Sequence, residues 1–295
     1  MFSNDRNIGN EQPLSDVKSP FASLTRAAVL LLALAVSPAC ALSPADIAAL
    51  KQEGRGPVKE ARTDPPKPTA HRVQNVEGWT VRVDERLFQP TNKATLERGL
   101  KFLDAKLADI KLVARPEIVT KLQTVVIVLD LTHGKLRSMQ YHPDLDWLQA
   151  NGYSTNLVKC VHIPEISDLV TSRNVNEQPW VILHELAHAY HDQVLGFEEP
   201  RILKAYEDYK KSGHGDQALL YNGSRVRHYG LTDQKEFFAE MTESYFGMDD
   251  FFPFNRAELM TAEPDVYELM RAIWEPVAGQ RPASPRAKPS SGQGV

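Results

Sequence analysis

Residues 180–191 read Trp180-Val181-Ile182-Leu183-His184-Glu185-Leu186-Ala187-His188-Ala189-Tyr190-His191 and contain the motif H-E-x-x-H. The mostly apolar residues around the motif predict a buried helix. In a helix, His184 and His188 are one turn apart, so their imidazole rings project from the same face. Two such rings can bind one Zn²⁺ at about 2.0–2.1 Å each. Glu185 lies beside them, where a carboxylate can take a proton from a metal-activated water.

The neighbours of the motif favour a metal site over a surface helix with two solvated histidines. Buried imidazole rings need polar partners, and one metal ion supplies a partner for both rings at once. In a random chain of this composition the motif would occur roughly 0.02 times, which makes coincidence a poor explanation. The flanking residues that predict burial are Val181, Ile182, Leu183, Leu186 and Ala187.

A catalytic zinc site needs a third protein ligand and a fourth position that is open to water. A histidine ten residues after His184 could supply the ligand, but that residue is Val194. The alternative is a carboxylate on a later helix. Residues 236–243 offer three of them, and the first lies in the first turn of that helix: Glu236, Glu240 and Glu243.

Two later segments extend the pattern and resemble a known family. Tyr229-Gly230-x-Thr232 precedes Glu236-Phe237-Phe238-Ala239-Glu240, and both look like the catalytic domain of anthrax lethal factor and its relatives. These proteins are gluzincins, zinc metallopeptidases whose third zinc ligand is a glutamate. The match runs from His184 to about Tyr245, roughly a fifth of the chain.

The resemblance implies a zincin-like metallopeptidase domain with a small mixed sheet and one catalytic zinc ion. It implies that the ion is bound by His184, His188 and Glu236 and that Glu185 is the general base. It also implies that Tyr229 donates a hydrogen bond to the oxyanion of the tetrahedral intermediate. A phenol in that place stabilises charge that develops during the reaction.

Other residues near the motif could support the ligands. Glu240, one turn after Glu236, could accept a hydrogen bond from the outer ring nitrogen of a zinc-bound histidine and fix its tautomer. Asp192 or His191 could do the same, but His191 stands where the lethal-factor family has an acidic residue. His191 could equally be an exposed histidine at a helix end. His228 could polarise the substrate carbonyl or only line its loop.

The remaining pattern predicts a few strands and several helices. Strand-like sequence covers 79–83, 122–131 and 157–163. Helical spacing predicts three helices, over 91–114, 179–195 and 232–246, the last with Thr232 as its N-cap. A few strands followed by helices indicate the α+β class rather than a doubly wound parallel sheet.

The sequence at both ends of the chain predicts segments that lie outside the metallopeptidase domain. Positive residues precede an apolar run at 27–36, which is shorter than the roughly 20 residues that span a bilayer. With small residues at 39 and 41, residues 1–41 predict a signal peptide and an exported protein, secreted or periplasmic. Residues 42–70 predict a flexible linker and 277–295 a disordered tail. The metallopeptidase domain is then 71–276.

Composition excludes several classes of protein. Lys plus Arg number 34 and Asp plus Glu 38, so the net charge is −4, and no basic block is present. We therefore expect no nucleic-acid partner. The only two cysteines, Cys40 and Cys160, cannot build a disulfide framework or an all-thiolate zinc site. Cys40 follows the apolar run and could instead carry a lipid, which would give the protein a membrane anchor.

Together these features predict an exported zinc-dependent endopeptidase that hydrolyses peptide or protein substrates through a metal-activated water. Two alternatives stay open, a non-catalytic zinc-containing binding module and a metal-dependent amidase that acts on cell-wall peptides. A peptidase would hold its substrate along an edge strand beside the metal helix. The sequence offers 158–163 as that strand.

Overall fold

The computed structural model describes residues 64–275, which contain a small mixed sheet. Its strands lie in the spatial order β1-β2-β3-β5-β4. The middle three are parallel, whereas β1 and β4 run antiparallel to their neighbours, so β4 is an edge strand. The strands are β1 (His71–Val76), β2 (Trp79–Asp84), β3 (Ile127–Leu129), β4 (Gln140–Tyr141) and β5 (Val161–Ile163).

Helices make up most of the remaining structure, together with a hairpin of two short strands, β6 (Ala218–Leu219) and β7 (Arg225–Val226). A small mixed sheet combined with many helices confirms the predicted α+β class. The α-helices are α1 (Lys93–Val113), α2 (Pro116–Leu122), α3 (Leu145–Ala150), α4 (Val181–Tyr190), α5 (Pro200–Ser212), α6 (Gln234–Phe246), α7 (Arg256–Ala262) and α8 (Pro264–Trp274).

The main hydrophobic core lies between one face of the sheet and the helices. Successive strand residues point to opposite faces, so Val161 and Ile163 enter this core while His162 points to the other face. Burial of large apolar side chains is the dominant favourable term in folding. The core residues of the long helix α1 follow helical spacing, as its sequence predicts: Leu96, Leu103, Leu107 and Ile110.

Two of the predicted strands are shorter than their sequences suggest. In 122–131, Leu122 ends α2, and only Ile127–Leu129 form β3. In 157–163, only Val161–Ile163 form β5, and this strand is paired on both sides. The prediction that 158–163 is the edge strand is therefore wrong. The edge belongs to β4, which is two residues long and too short to show alternation in the sequence.

The two helices that carry the H-E-x-x-H motif and Glu236 begin and end at identifiable residues. The helix predicted over 179–195 is α4 followed by one π-helical turn, which stops at Gly196 with a φ of 85°. Asp233, rather than Thr232, is the N-cap of α6, because its carboxylate accepts hydrogen bonds from two backbone N–H groups of the first turn. At the other end of α6, a Cβ on Gly247 would lie 1.8 Å from Trp180 Nε1, so this close approach to the start of α4 requires glycine.

Several predictions concern residues outside the described part of the chain. The predicted signal peptide at 1–41, the lipid-attachment alternative at Cys40, most of the linker at 42–70 and the tail at 277–295 all lie there. Within the described part, the carbonyl of Pro66 accepts a hydrogen bond from Thr132 Oγ1 at 2.7 Å. None of the helices in residues 64–275 is long and apolar enough to span a bilayer.

Candidate metal centre

Three of the predicted ligands converge on one point. Helix α4 supplies His184 and His188, and the first turn of α6 supplies Glu236. His184 Nε2 lies 3.2 Å from Glu236 Oε2, and His188 Nε2 lies 3.3 Å from the same oxygen. Ligand atoms of a tetrahedral site with bonds of 2.0–2.1 Å are about 3.3 Å apart. These three side chains could therefore hold one metal ion.

Packing between α4 and α6 fixes this geometry. Leu183, Leu186 and Ala187 of α4 are buried in the main core, as are Phe237 and Met241 of α6. The N-cap contacts from Asp233 to the amides of Lys235 and Glu236 set the direction in which α6 starts. The first turn of α6 therefore lies across the histidine face of α4, although some fifty residues separate the two in sequence.

The charges at this point suit a cation. Burial raises the pKa of Glu236, but hydrogen bonds from both histidines outweigh burial and hold it well below its usual range. Burial lowers the pKa of His184, but its contacts with Glu236 and Glu243 outweigh burial and raise the pKa far above its usual value. The negative potential that favours a proton on His184 also favours a divalent ion at the same position.

The orientation of His184 depends mainly on Glu243. Glu243 Oε1 lies 2.7 Å from His184 Nδ1 and also accepts a hydrogen bond from Gln178 Nε2 at 2.8 Å. The predicted partner, Glu240, is farther away, with Oε1 at 3.4 Å from the same ring nitrogen. A carboxylate behind a metal-binding histidine fixes the tautomer and raises the basicity of the ring. The sequence could have indicated Glu243, because it lies two turns after Glu236 on the same face of the helix.

Replacing Glu243 tests this contact. In Glu243→Gln we expect the affinity for Zn²⁺ to fall about 10–100-fold, because the ring nitrogen loses its anionic acceptor. Competition with a chromophoric chelator measures the affinity. Glu240→Gln is the matched control and should change the affinity much less. Equal affinity in the Glu243 variant and the wild type would contradict the role given to Glu243.

Two predicted supporting residues have other contacts. Asp192 Oδ2 accepts hydrogen bonds from Tyr141 Oη at 2.6 Å and from Lys159 Nζ at 2.5 Å, so it links the turn after α4 to the edge strand. Both ring nitrogens of His191 lack a partner among the described residues. Its ring packs against Phe197 and Phe238, and burial lowers its pKa to about 4. The predicted contact of Asp192 or His191 with a metal-binding histidine is therefore wrong.

The edge strand β4 holds the predicted general base. The backbone N–H of Tyr141 donates a hydrogen bond to Glu185 Oε2 at 2.7 Å. Glu185 is buried, and burial raises the pKa of its carboxyl group in spite of the two nearby histidines. This contact keeps the carboxylate of Glu185 next to the converging ligands.

Comparison with known proteins adds no relative to this description. No family model, curated protein or solved structure matches this chain. The case for a metal centre therefore depends only on the residues and distances given above.

The converging residues border an open cleft. Two cavities of about 780 and 380 Å³ meet there, and both are bordered by His184, Glu185 and Tyr229 and by Ser138 and Met139 next to β4. Tyr229 borders both cavities and is 48% exposed.

The sequence leaves two roles open for His228, polarising the substrate carbonyl or lining its loop. The structure favours the second. Its side chain is fully buried, and its Nδ1 accepts a hydrogen bond from the backbone N–H of Gly230 at 3.0 Å. Its ring stacks on Phe251 at a centroid distance of 4.8 Å. Burial lowers its pKa to about 3, so the ring is neutral at physiological pH. His228 thus positions the turn that carries Tyr229.

Proposed function

We propose that this chain is a zinc-dependent endopeptidase with a zincin-like fold, similar to the lethal-factor-like gluzincins. The observation that carries the proposal is the convergence of His184, His188 and Glu236 at the ligand spacing of a tetrahedral ion. The position of Glu185 beside this point, held by the edge strand, adds a base where a water would be activated.

The donor set favours zinc over other common ions. Two imidazole nitrogens and one carboxylate oxygen are typical of catalytic Zn²⁺ with an open position for water. Mg²⁺ and Ca²⁺ prefer sites built from oxygen atoms. The orienting carboxylate of Glu243 behind His184 matches the usual environment of a zinc-binding histidine.

In the proposed mechanism, residues of the chain move the proton of the attacking water and stabilise the developing negative charge. A bound zinc ion would lower the pKa of water and polarise the scissile carbonyl group. Glu185 takes the proton from the attacking water and gives it to the leaving amine. Tyr229 donates a hydrogen bond to the oxygen that becomes negative in the tetrahedral intermediate. Because Tyr141 N–H holds Glu185, the carboxylate is in place before the substrate binds.

An extended peptide fits the shape of the cleft. In β4, Gln140 pairs with His162 of β5, so the backbone groups of its neighbour Tyr141 point away from the sheet. The N–H of Tyr141 already binds Glu185, so its carbonyl oxygen is the group at this edge that can accept a main-chain hydrogen bond from an extended peptide. The two cavities meet at the metal-facing residues, which allows a chain to continue on both sides. This arrangement favours cleavage within a chain.

Hydrolysis of an unstructured protein tests the function. The full chain should cleave denatured casein, lose this activity in a chelator and regain it when Zn²⁺ is added. Metal bound without any cleavage would instead support a zinc-containing binding module. Cleavage of peptidoglycan fragments but not of casein would support a cell-wall amidase. The predicted export of the protein is a separate question, which a fractionation experiment can answer.

Replacing Tyr229 tests its role at the oxyanion. We expect kcat/KM of Tyr229→Phe to fall about 10²–10³-fold, as for loss of one oxyanion donor. Metal content should not change, because the residue is not a ligand. Tyr221→Phe is the matched control, since Tyr221 is an exposed tyrosine that borders the same cleft. An equal effect of both substitutions would rule out a specific role for Tyr229.

A further inference from the structure

A second cluster of histidines lies on the face of the sheet opposite the main core. The cluster surrounds Asp130, the residue after β3, and contains four of the nine histidines of the chain. Asp130 and His162 are fully buried, and His133 and His142 are nearly so. None of these residues belongs to the metal centre described above. The four histidines come from β1, the loop after β3, the residue after β4, and β5: His71, His133, His142 and His162.

Three ring nitrogens point at the one carboxylate. His71 Nε2 lies 2.7 Å from Asp130 Oδ1, while His133 Nδ1 and His162 Nε2 lie 2.6 and 2.8 Å from Oδ2. A fourth ring supports the third, since His142 Nε2 lies 3.1 Å from His162 Nδ1. Asp130 Oδ2 and the ring nitrogens of His133 and His162 therefore lie at one point, while His71 binds the other oxygen of the carboxylate.

Hydrogen bonding leaves the charge of this cluster uncompensated. Three neutral rings can donate to Asp130. A buried carboxylate beside neutral rings keeps its full negative charge, which is costly without a cation. Arg86, a nearby cation, pairs with Asp84 instead. The cluster is thus short of positive charge.

We propose that Asp130, His133 and His162 form a second zinc site, with His71 bound to the other oxygen of Asp130. A set of two imidazole nitrogens and one carboxylate oxygen suits Zn²⁺ better than Mg²⁺ or Ca²⁺, which prefer oxygen ligands. The ligand atoms would spread from their present spacing to about 3.3 Å, a shift of roughly half an ångström. Each neutral ring needs only to change tautomer. His162 then donates its Nδ1–H to His142, as metal-bound histidines usually do to a neighbouring acceptor.

The ligands of the second site are buried, so the ion would have a structural role. It would join β5 to the loop that follows β3. Through His142 it would also support the edge strand β4, which ends at the preceding residue, Tyr141. Binding to a site that exists only in the folded chain stabilises the fold. The inference does not depend on the proposed function, since it concerns different residues.

Counting ions in the full chain tests the inference. Mass spectrometry of the zinc-saturated protein after dialysis should find two ions per wild-type chain. The double variant His184→Ala/His188→Ala should keep one, and His162→Gln should keep the other. Glutamine at 162 can still donate a hydrogen bond to Asp130, so this variant tests the metal rather than the network. His214→Gln, a change at an exposed histidine, is the control and should keep both ions.

The result separates the two sites. An ion that stays in the double variant and is lost on addition of His162→Gln supports the second site, whatever happens at the catalytic one. If His162→Gln does not fold, His133→Gln replaces it, because His133 lies in the loop after β3 and not in a strand of the sheet. A wild type with one ion and a folded double variant with none would overturn the inference. So would two ions retained in both His162→Gln and His133→Gln.

Discussion

Replacing Glu185 with glutamine is expected to stop hydrolysis while the metal stays bound. Removal of a positioned general base costs about 10²–10⁴-fold in rate. Glutamine has nearly the same volume, and its side-chain oxygen can still accept the hydrogen bond from Tyr141 N–H that holds Glu185. The ligands His184, His188 and Glu236 are unchanged. Initial rates on a quenched fluorescent peptide, together with zinc analysis of the same sample, measure both effects.

The control for this variant is Glu177→Gln, a change at another carboxylate that borders the larger cavity. It should keep most of the activity. That result would show that loss of one negative charge in the cleft is not enough to stop the reaction. Turnover in Glu185→Gln at a rate near that of the wild type would remove Glu185 from the mechanism. Loss of zinc in this variant would mean that Glu185 acts as a ligand and not as a base.

Replacing Glu236 is expected to weaken metal binding itself. In Glu236→Gln the site loses its charged ligand, the one that joins α6 to the histidines of α4. In the wild type, zinc at a thousand times its dissociation constant stabilises the fold by about 4.1 kcal/mol. We expect most of this stabilisation to disappear in the variant. Thermal unfolding with and without zinc measures the difference, in a background carrying His162→Gln so that the second site does not contribute.

The matched control for this measurement is Glu198→Gln, since Glu198 is an exposed glutamate that precedes α5. In the same background it should show the full zinc-dependent rise in the unfolding temperature. A rise of equal size in Glu236→Gln would contradict the assignment of Glu236 as the third ligand. It would instead point to Glu240 or Glu243 as the ligand that the sequence leaves open.

The sequence predicts the local parts of the site well. His184 and His188 share a helix face because they are one turn apart, and no knowledge of the fold is needed for that step. The position of Glu236 in the first turn of a later helix could also be predicted. The sequence predicts Thr232 as the N-cap, one residue before the observed Asp233, because both are good N-cap residues and only the backbone geometry distinguishes them.

The parts that depend on distant contacts could not be predicted from the sequence. The edge strand β4 forms only because β5 pairs with it, and its two residues carry no periodic signal. The sequence predicts Asp192 near His184 and His188, because it is close to them along the chain. The π-helical turn after α4 instead directs its carboxylate to Tyr141 and Lys159. Proximity in sequence is a weak guide once a helix has ended.

The cluster around Asp130 shows the same limit. Its histidines are separated by up to about ninety residues, and no pair has the spacing of a known metal motif. Only the sheet brings them together, because β1, β3 and β5 lie near one another. Within the sequence they could be read as ordinary scattered histidines.

Crystals of the full chain, measured on both sides of the zinc absorption edge, test the proposed metal centre. We expect an anomalous peak at about 2.0–2.2 Å from His184 Nε2, His188 Nε2 and a carboxylate oxygen of Glu236. An ordered water within reach of Glu185 should complete the site. A zinc-saturated crystal with no peak between these three side chains would rule out the proposed centre.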